Sequence, residues 1–508
     1  MKRIITVITR VIIIAALTAF FSCEESSGTE KKISGQVEIP QANQADNYIF
    51  PVEGWVFLSC DTKGADIFYT TNDGAPEKKY ITPINITRDT AIKAIARKTG
   101  MRDSDELSVS YKVITNEAMS FAAEMKIGWN LGNTFDGHSR LMPSETSWQS
   151  ARATQELMDK AAAYGFGAAR IPVTWGQKLG GYENLRRNPG QITLSIEEIE
   201  ALELDAAWLD RVAEVVEYAN NAGMKAIINI HHDGADSSHW LSVKTADLTG
   251  ENKAKVDAIF KTLWKQIAEK FKNTGDYLIF EGFNELHDGS WSDGNDAQHK
   301  RIDELNQLFV NTVRSSGGKN ADRFLLIHGW VTRPSVTVRK LVMPSDSAVD
   351  RLIVGFHYYD PYDFSGSGNW ETWGSKSLTG SNGWANENYV RNTFNSVKSR
   401  FIDNGIPVII GEYGAVNQIT DKGKEHRKYY MEYVTKYARD CGFIPFYWDN
   451  AGFGININQT TGAQSTGEKF GLFYRTPPFA LPEESVPILE VMMKAVNEAY
   501  QITGVAAP

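Results

Sequence analysis

Two glutamates stand at positions where a pair of carboxylates could act on one substrate bond. Glu285 follows an apolar stretch at 277–283, and Glu412 ends another at 407–412. Two carboxylates that flank a glycosidic bond can hydrolyse it, because one protonates the leaving oxygen while the other attacks the sugar or activates water. The pair therefore predicts a glycosidase, and its unknown spacing leaves both retention and inversion of the anomeric centre open.

Other residues could give the two carboxyl groups the different protonation states that this reaction needs. Arg170 ends a further apolar stretch, and a cation within about 4–6 Å keeps a carboxylate ionised. Tyr359 could donate a hydrogen bond to the same carboxylate. The other glutamate would then keep its proton, because a second negative charge nearby is unfavourable.

A barrel of alternating strands and helices is the fold that would bring these positions together. From about residue 115, apolar stretches alternate with segments such as 207–221 and 255–271, whose apolar residues recur at helical spacing. The predicted strands are 125–130, 168–172, 226–231, 277–283, 324–328, 352–357, 407–412 and 443–448. A doubly wound sheet would need a glycine-rich phosphate turn after its first strand, which Gly128 and Gly132 do not make. The sequence predicts an α/β fold, a (β/α)8 TIM barrel, across 115–508.

Polar side chains stand at nearly every predicted strand end, where the catalytic groups of such a barrel converge. They are Asn130 and Asn133, Arg170, His231 and His232, Asn284 and Glu285, His357 and Tyr359, Glu412, and Trp448. A single such residue would mean little, whereas seven strand ends in register predict an active site. Trp330 follows the fifth strand, and we expect it to be a stacking platform for a sugar ring.

Two further interpretations of these stretches, a third catalytic carboxylate and a metal site, are less favourable. Glu281 lies inside the fourth strand, and we expect a structural group paired within the barrel rather than a third catalytic carboxylate. His231 and His232 could suggest a metal site, but neighbouring strand residues point to opposite faces and rarely chelate together. We expect neither a metal nor a cofactor.

The residues at 47–114 predict a small all-β sandwich ahead of the barrel. Short stretches alternate in period two, and turn sequences such as the one at 72–74 separate them. We expect an accessory unit or spacer. Carbohydrate binding is the alternative, with Trp55 as the candidate exposed ring.

The pattern at 1–22 is typical of a lipoprotein signal peptide. Lys2 and Arg3 form a basic region, and the apolar run at 11–21 that begins after Arg10 is shorter than the roughly 20 residues of a membrane span. The run leads to Cys23 in a sequence that resembles a lipoprotein cleavage box, so Cys23 is the expected lipidation site; a plain signal peptide is the alternative. We expect a polar linker at 23–46 and an extracytoplasmic lipoprotein of the outer membrane or cell surface.

Six motifs occur in order along the predicted barrel. They are Gly128-Trp-Asn-Leu-Gly-Asn-Thr-Phe-Asp, Arg170-Ile-Pro-Val-Thr-Trp, Asn229-Ile-His-His-Asp, Phe280-Glu-Gly-Phe-Asn-Glu, His357-Tyr-Tyr and Gly411-Glu-Tyr-Gly. Together they resemble glycoside hydrolase family 5, in the branch that contains cellulases, lichenases and xyloglucanases. The β-sandwich resembles the small module found beside chitobiase-type glycosidase domains. One departure from the family pattern is Leu286, which stands where proline usually follows the Asn-Glu pair.

The resemblance implies a retaining double-displacement mechanism and a role for each catalytic residue. Glu285 would be the acid/base and Glu412 the nucleophile. Arg170 and Tyr359 would hold Glu412, and His357 would lie near Glu285.

The resemblance also implies the contacts of the sugar in the −1 subsite. Asn284 would bond its 2-hydroxyl, and Trp448 would form the floor beneath it. His231, with His232, would bind sugar hydroxyls. Asn130 and Asn133 remain candidates for sugar binding from their place at the first strand end.

The sequence thus predicts a retaining endo-β-1,4-glucanase acting on cellulose-type, mixed-linkage or xyloglucan chains. The alternatives are a xyloglucan-specific endoglucanase, a more distant β-mannan specificity, and a non-catalytic surface lipoprotein that binds polysaccharide. Long polar loops after the first, third and sixth strands indicate an open cleft. The expected partners are a β-glucan and, through the lipid anchor, the outer membrane, with the protein a monomer. Its 53 basic and 62 acidic residues, a net charge of −9, argue against nucleic acid.

Overall fold

The computed structural model describes residues 35–181, 183–234, 239–377, 384–454, 456–457, 464–465 and 468–502. The predicted signal peptide, Cys23 and the first part of the predicted linker lie outside the described residues. Within the described ranges, no helix has the length and apolarity needed to cross a membrane.

The first unit is all-β and has its own apolar core. Its strands are β1 (Gln41–Ala42), β2 (Tyr48–Pro51), β3 (Gly54–Val56), β4 (Leu58–Ser59), β5 (Asp66–Thr70), β6 (Lys78–Lys79), β7 (Ile84–Ile86), β8 (Thr90–Arg97) and β9 (Leu107–Ile114). One sheet has the order β2-β9-β8-β5-β6, and the pairs β1-β4 and β3-β7 complete the unit. Along β8 the buried Ile92, Ala94 and Ala96 alternate with more exposed residues, as in a strand with one buried face.

This unit begins earlier than the predicted boundary at 47. Val37 is 2% exposed and belongs to the core of the unit, Gln36 forms a bridge with Arg102, and β1 pairs with β4. The prediction of a linker up to residue 46 is therefore wrong for 35–46. The sequence did not predict this earlier start, because the segment contributes one buried aliphatic side chain and a two-residue strand. That is too little to produce a detectable period-two pattern.

The β unit contacts the barrel at the end opposite the predicted active site. Lys398 donates from Nζ to the carbonyl of Ile49 over 2.8 Å and lies 4.4 Å from the ring centre of Tyr48. The Tyr48 hydroxyl donates to the carbonyl of Asp440, just before the last barrel strand begins. Because catalytic loops follow the carboxyl ends of barrel strands, these contacts lie on the far side of the barrel.

The second unit is a closed barrel of parallel strands. Its strands are β10 (Gly128–Leu131), β13 (Ala168–Ile171), β14 (Lys225–Asn229), β15 (Leu278–Glu281), β16 (Leu325–His328), β17 (Leu352–Tyr358), β18 (Val408–Tyr413) and β19 (Phe443–Asp449). Each pairs with the next, and β10 closes the barrel on β19. Two short hairpins are β11 (His138–Ser139) with β12 (Met142–Pro143) and β20 (Asn456–Ile457) with β21 (Gln464–Ser465). The predicted TIM barrel is confirmed, with strand ends shifted by three residues or fewer.

Helices alternate with the barrel strands and cover the outside of the barrel, except for α1, which comes before β10. They are α1 (Glu117–Ala123), α2 (Gln155–Ala163), α3 (Ile196–Glu200), α4 (Ala206–Asn221), α5 (Gly250–Lys270), α6 (Asp296–Ser315), α7 (Pro334–Lys340), α8 (Tyr362–Ser365), α9 (Glu387–Arg400), α10 (Asp421–Asp440) and α11 (Val486–Asn497). Local sequence sets their starts, as in α6, where the Asn295 side chain accepts from two backbone N–H groups and Gln298 completes a capping box.

The lower barrel interior is an apolar floor. Ala168, Ile227, Ile279 and Leu326 pack there with residues of the later strands, and α1 closes the opening beneath them. The next residue on each strand points outward into the larger core between strands and helices. This alternation determines which side chains return to the interior one layer higher.

Candidate active site

A ring of buried polar side chains lies directly above the apolar floor. It consists of Asn130, Arg170, Asn229, Glu281 and His328, each fully buried. On β13, β14, β15 and β16 each stands two residues after a residue of the apolar floor. On β10, Asn130 stands two residues after Gly128, which pairs with the floor residue Ala168. Because strand side chains alternate with period two, these residues all return to the barrel interior. Asn229 and His328 were not among the predicted site residues, although this count along the strands could have identified them.

Arg170 uses all five of its N–H donors within the site. Nε and Nη2 each donate to Glu281 over 2.7 Å, and Nη2 also donates to Asn284 Oδ1 over 2.8 Å. Nη1 donates to Asn130 Oδ1 and, over 2.7 Å, to Glu412 Oε1. Burial favours loss of the Arg170 proton, but the two carboxylates outweigh it and raise the pKa of Arg170. The guanidinium is therefore charged and fixed in one plane.

Glu412 lies at the end of β18 among donors suited to a carboxylate anion. Besides the bond from Arg170, it accepts a hydrogen bond from the Tyr359 hydroxyl over 3.2 Å. Burial and the charge of Glu412 raise the pKa of Tyr359 well above its usual range, so this hydroxyl keeps its proton. His231 Nε2 lies 3.9 Å from Glu412 Oε1.

Glu285 is in a different environment. Burial raises the pKa of Glu285, and nearby cationic and hydroxyl groups oppose the shift only in part. Its Oε1 lies 2.7 Å from His357 Nδ1 and 3.4 Å from the Thr332 hydroxyl. Burial also lowers the pKa of His357 to about 3. A neutral His357 with its proton on Nδ1 can donate to Glu285 Oε1, which leaves the carboxyl proton on the other oxygen for the substrate.

The two glutamates are close enough to act on one bond. One carboxylate oxygen of Glu285, one of Glu412 and a ring nitrogen of His357 all lie within 4.8 Å of one another. Retaining glycosidases place their carboxyl groups about 5–5.5 Å apart, whereas inverting enzymes separate them by about 6.5–9.5 Å to admit a water molecule. The observed proximity favours the retaining arrangement.

His231 and Trp448 form one wall of the site. Their rings are parallel within 4°, with centres 5.9 Å apart. The side-chain amide of Asn229 lies 3.1 Å from His231 Nδ1. Burial, followed by the nearby His232 and Arg170, lowers the pKa of His231 well below its usual value. A neutral ring that accepts from Asn229 at Nδ1 carries its proton on Nε2, the nitrogen nearer the carboxylates.

His231 and His232 do not point to opposite faces, contrary to the prediction. Because β14 ends at Asn229, both histidines lie on the following loop, with ring centres 4.5 Å apart. Their nitrogens and a carboxylate oxygen of Asp136 lie within 4.8 Å of one another, a spacing that could hold a metal ion. Asp136 already accepts from the backbone N–H groups of Asn133 and Thr134, which gives it a role in ordering the first loop.

Two residues that were predicted to bind sugar are almost or completely buried. Trp330 is 1% exposed, and its indole N–H donates to the carbonyl of Ser292; the prediction of a stacking platform is wrong because the loop between β15 and α6 covers this ring. Asn130 is also wrong as a sugar contact, since it is fully buried and donates to backbone carbonyls of β18 and β19. Asn133 is half-buried on the first loop, and its role in binding stays a prediction.

Exposed aromatic side chains stand on the loops around the site. Trp148 is 44% exposed and lies 5.1 Å from the ring centres of both His138 and His232. Trp291 is 52% exposed and stacks on His287 at 4.4 Å. Their faces suit stacking on sugar rings. Trp148 was not predicted, because its place beside the site depends on how the first loop folds.

The arrangement defines a class of protein. A β/α barrel carries, at the carboxyl ends of its strands, one glutamate held by cationic and hydroxyl donors and a second whose pKa burial raises, with oxygens of the two within 4.8 Å of one another. This is the machinery of a glycoside hydrolase.

Sequence comparison identifies the family. Residues 131–454 match the model of cellulase (glycosyl hydrolase family 5), and residues 47–108 match the chitobiase/beta-hexosaminidase C-terminal domain. The chain belongs to glycosyl hydrolase family 5. It is 34% identical to endoglucanase A of Paenibacillus barcinonensis over 351 residues, 66% of this chain and 82% of that protein.

Two further relatives match over comparable lengths. The chain is 32% identical over 383 residues to a xyloglucan-specific endo-β-1,4-glucanase of Bacteroides ovatus, covering 72% of this chain and 68% of that one. A solved structure of a GH5-4 broad specificity endoglucanase from Bacteroides salanitronis superposes with a TM-score of 0.67 at 38% identity, covering 76% of this chain and 97% of that one.

Proposed function

We propose that the protein is an endo-β-1,4-glucanase that cleaves internal bonds of β-glucan chains with retention of anomeric configuration. The observation that carries this proposal is the pair of glutamates, close together and in opposite environments. The endoglucanase relatives support the same activity. A polysaccharide-binding lipoprotein without activity is the less favourable alternative, because binding alone needs neither carboxylate in this arrangement.

In the first step, Glu412 attacks the anomeric carbon while Glu285 protonates the departing glycosidic oxygen. Arg170 and Tyr359 orient Glu412 for this attack, and burial supplies the protonated state of Glu285. A covalent glycosyl-enzyme and a shortened glucan chain result.

In the second step, Glu285 changes from acid to base. Ester formation removes the negative charge of Glu412, and loss of a nearby negative charge makes the ionised form of Glu285 more favourable. The Glu285 carboxylate then takes a proton from the water that attacks the anomeric carbon, and Glu412 leaves as a carboxylate. His357, 2.7 Å from Glu285 Oε1, keeps the carboxyl group in place during both steps.

Three side chains are placed to bind the sugar next to the scissile bond. Asn284 accepts from Arg170 at Oδ1, so its NH₂ group can donate to the 2-hydroxyl. His231 offers its Nε2 proton to a hydroxyl on the same sugar. The ring of Trp448, which is parallel to that of His231 and half-buried in the site, supplies an apolar face for the sugar to stack on.

We further propose that the cleft accepts branched as well as unbranched soluble glucans. Exposed Trp148 and Trp291 stand on the rim rather than closing over the site. One relative is named xyloglucan-specific and one solved neighbour broad-specificity, so a xyloglucan-specific enzyme is the alternative within this class.

Initial rates on a panel of polysaccharides test the activity and its breadth. Xyloglucan, mixed-linkage glucan, carboxymethyl cellulose, crystalline cellulose and β-mannan are compared at equal mass, with product sizes followed over time. We expect all three soluble glucans to be cut into oligosaccharides, faster than crystalline cellulose. Xyloglucan cleavage at less than about a hundredth of the best rate would contradict the open cleft, since an open groove excludes branches only weakly.

We also propose that Cys23 is lipidated and anchors a monomeric enzyme outside the cytoplasm. The support is the signal pattern at 1–22. Replacing Cys23 by Ala should release activity from the membrane fraction, or leave an unprocessed precursor, with unchanged activity per folded molecule. A correctly processed variant that remains membrane-bound contradicts the anchor, and size-exclusion chromatography of the released enzyme measures its oligomeric state.

A further inference from the structure

We propose that Glu281, a buried carboxylate that the hydrolysis itself does not use, is a positioning residue of the catalytic machinery. It fixes Arg170 against Glu412, and its negative charge offsets the guanidinium charge that acts on Glu285. This inference rests on the proposed function, because it concerns how the same glutamate pair is controlled.

The first argument is geometric. Glu281 Oε2 accepts from Arg170 Nε, and Oε1 accepts from Nη2, both over 2.7 Å. This two-pronged contact fixes the plane of the guanidinium. The remaining donors of Arg170 can then reach Glu412 over 2.7 Å and Asn284 over 2.8 Å. Glu281 thus determines the direction from which Arg170 approaches the nucleophile, although it does not itself contact Glu412.

The second argument concerns how firmly Glu281 is held. Oε1 also accepts from Asn229 Nδ2 over 3.1 Å and lies 3.0 Å from His328 Nε2. Burial alone would favour protonation of Glu281, but Arg170 and His328 outweigh it and hold the pKa of Glu281 well below its usual range. Glu281 therefore carries a full negative charge at every pH at which the enzyme would work.

The third argument concerns the charge of the site. Arg170 is the cation shared by Glu281 and Glu412. The ionisable groups that face this network are His231 after β14, Glu285 after β15, His328 on β16, His357 on β17 and Glu412 on β18. Besides Arg170, His287 and His232 on neighbouring loops also act to lower the pKa of Glu285. Burial lowers the pKa of both His231 and His357, so neither supplies a second cation. Without the charge of Glu281, Arg170 would act on Glu285 with less compensation, and Glu285 would lose its proton at lower pH.

The test is Glu281→Gln, which keeps the size of the side chain and removes its charge. On its alkaline side, the pH profile of kcat/KM should move to lower pH by about one unit. This is the pKa shift expected when a unit charge about 10 Å away is removed at an effective dielectric constant of about 20. We also expect kcat to fall at least about tenfold, because the new amide N–H group opposes the Arg170 donors. A residue with only a structural role would lower the melting temperature and leave the pH limb where it was.

The matched control is Asp346→Asn, which neutralises another carboxylate in a two-pronged contact with an arginine, one whose side chain is 5% exposed. Asp346 accepts from Arg314 Nε and Nη2 over 2.7 Å each, on the segment that leads into β17 and so at the end of the barrel opposite the active site. We expect it to lower the melting temperature while leaving kcat and the pH limbs unchanged. Limbs that move equally in both variants would overturn the proposal.

A second variant keeps the proposal testable if Glu281→Gln does not fold. Glu281→Asp retains the charge but is too short to reach Nε and Nη2 together, so we expect lower kcat with the pH limb close to that of the wild type. Wild-type kcat in Glu281→Asp, or a wild-type pH limb in folded Glu281→Gln, overturns the proposal. Failure of the proposed function is separate, because it would appear as a wild-type enzyme without endoglucanase activity.

Discussion

Replacing Tyr359 by Phe removes one hydroxyl group from the site and leaves the ring in place. That hydroxyl donates to Glu412 Oε2 over 3.2 Å, and its raised pKa keeps it a donor throughout the working pH range. A hydrogen bond to a charged group contributes about 1.5–3 kcal/mol. At about 1.4 kcal/mol for each factor of ten, its loss slows the affected step about 10- to 150-fold.

The affected step should be the second one. Glu412 is a neutral ester in the glycosyl-enzyme and regains its charge as it leaves, so the bond from Tyr359 strengthens towards the transition state. We expect kcat to fall by the factor above and KM to fall with it, because the glycosyl-enzyme accumulates. A dinitrophenyl β-cellobioside should show a burst of released phenol in stopped flow, and mass spectrometry of the intact protein should detect the added sugar.

The neighbouring Tyr358 provides the control. It is the last residue of β17, directly before Tyr359, but it packs against Phe394 on α9, and its hydroxyl has no hydrogen-bond partner among the described residues. Tyr358→Phe should therefore leave kcat unchanged. The reasoning is refuted if Tyr359→Phe keeps the wild-type kcat, or if kcat and kcat/KM fall equally with no burst.

Three further outcomes are expected. Because burial raises the pKa of Glu285, kcat/KM on polysaccharide should stay constant while Glu285 is protonated and fall as the pH rises through that pKa. An aryl glycoside whose leaving group needs no protonation should not show this fall. If both substrates show it, the assignment of Glu285 as the acid is wrong. Gly132→Ala should lower activity markedly, because a Cβ there would lie 2.8 Å from the Asp449 carbonyl and 3.0 Å from the Trp448 ring; wild-type rates would show that the ring position is unimportant. Trp148→Ala should reduce kcat/KM on polysaccharide, because an exposed aromatic face that can stack on a sugar ring is lost, but hardly on a short aryl glycoside; equal loss on both means that Trp148 supports the loop instead.

Much of the catalytic centre could be predicted because strand ends are visible in sequence. Arg170, Glu285 and Glu412 each follow an apolar stretch, and the barrel brings such ends together. The buried ring was less apparent, although period two along β14 and β16 would have placed Asn229 and His328 in the interior. The position of an interior side chain is thus a local property of its strand.

Side chains beyond the strands were harder to predict because their burial depends on distant segments. Trp330 and Trp448 both lie near the carboxyl end of a strand. Trp448 is half-buried in the site, whereas Trp330 is covered by the loop that contains Ser292. His231 and His232 lie close together because β14 ends before them. Such details depend on where a strand stops and how a loop returns, which single-sequence periodicity does not encode.

The most direct test of the central claim is the configuration of the azide products formed by the two glutamate variants. On an activated aryl glycoside, Glu285→Ala retains the nucleophile, so azide should attack the glycosyl-enzyme and give the β-azide. Glu412→Ala lacks the nucleophile, so azide should attack the substrate itself and give the α-azide. Nuclear magnetic resonance distinguishes the anomers. A β-azide from Glu285→Ala and an α-azide from Glu412→Ala are the predicted results, and exchanged anomers would contradict the assignment of both residues.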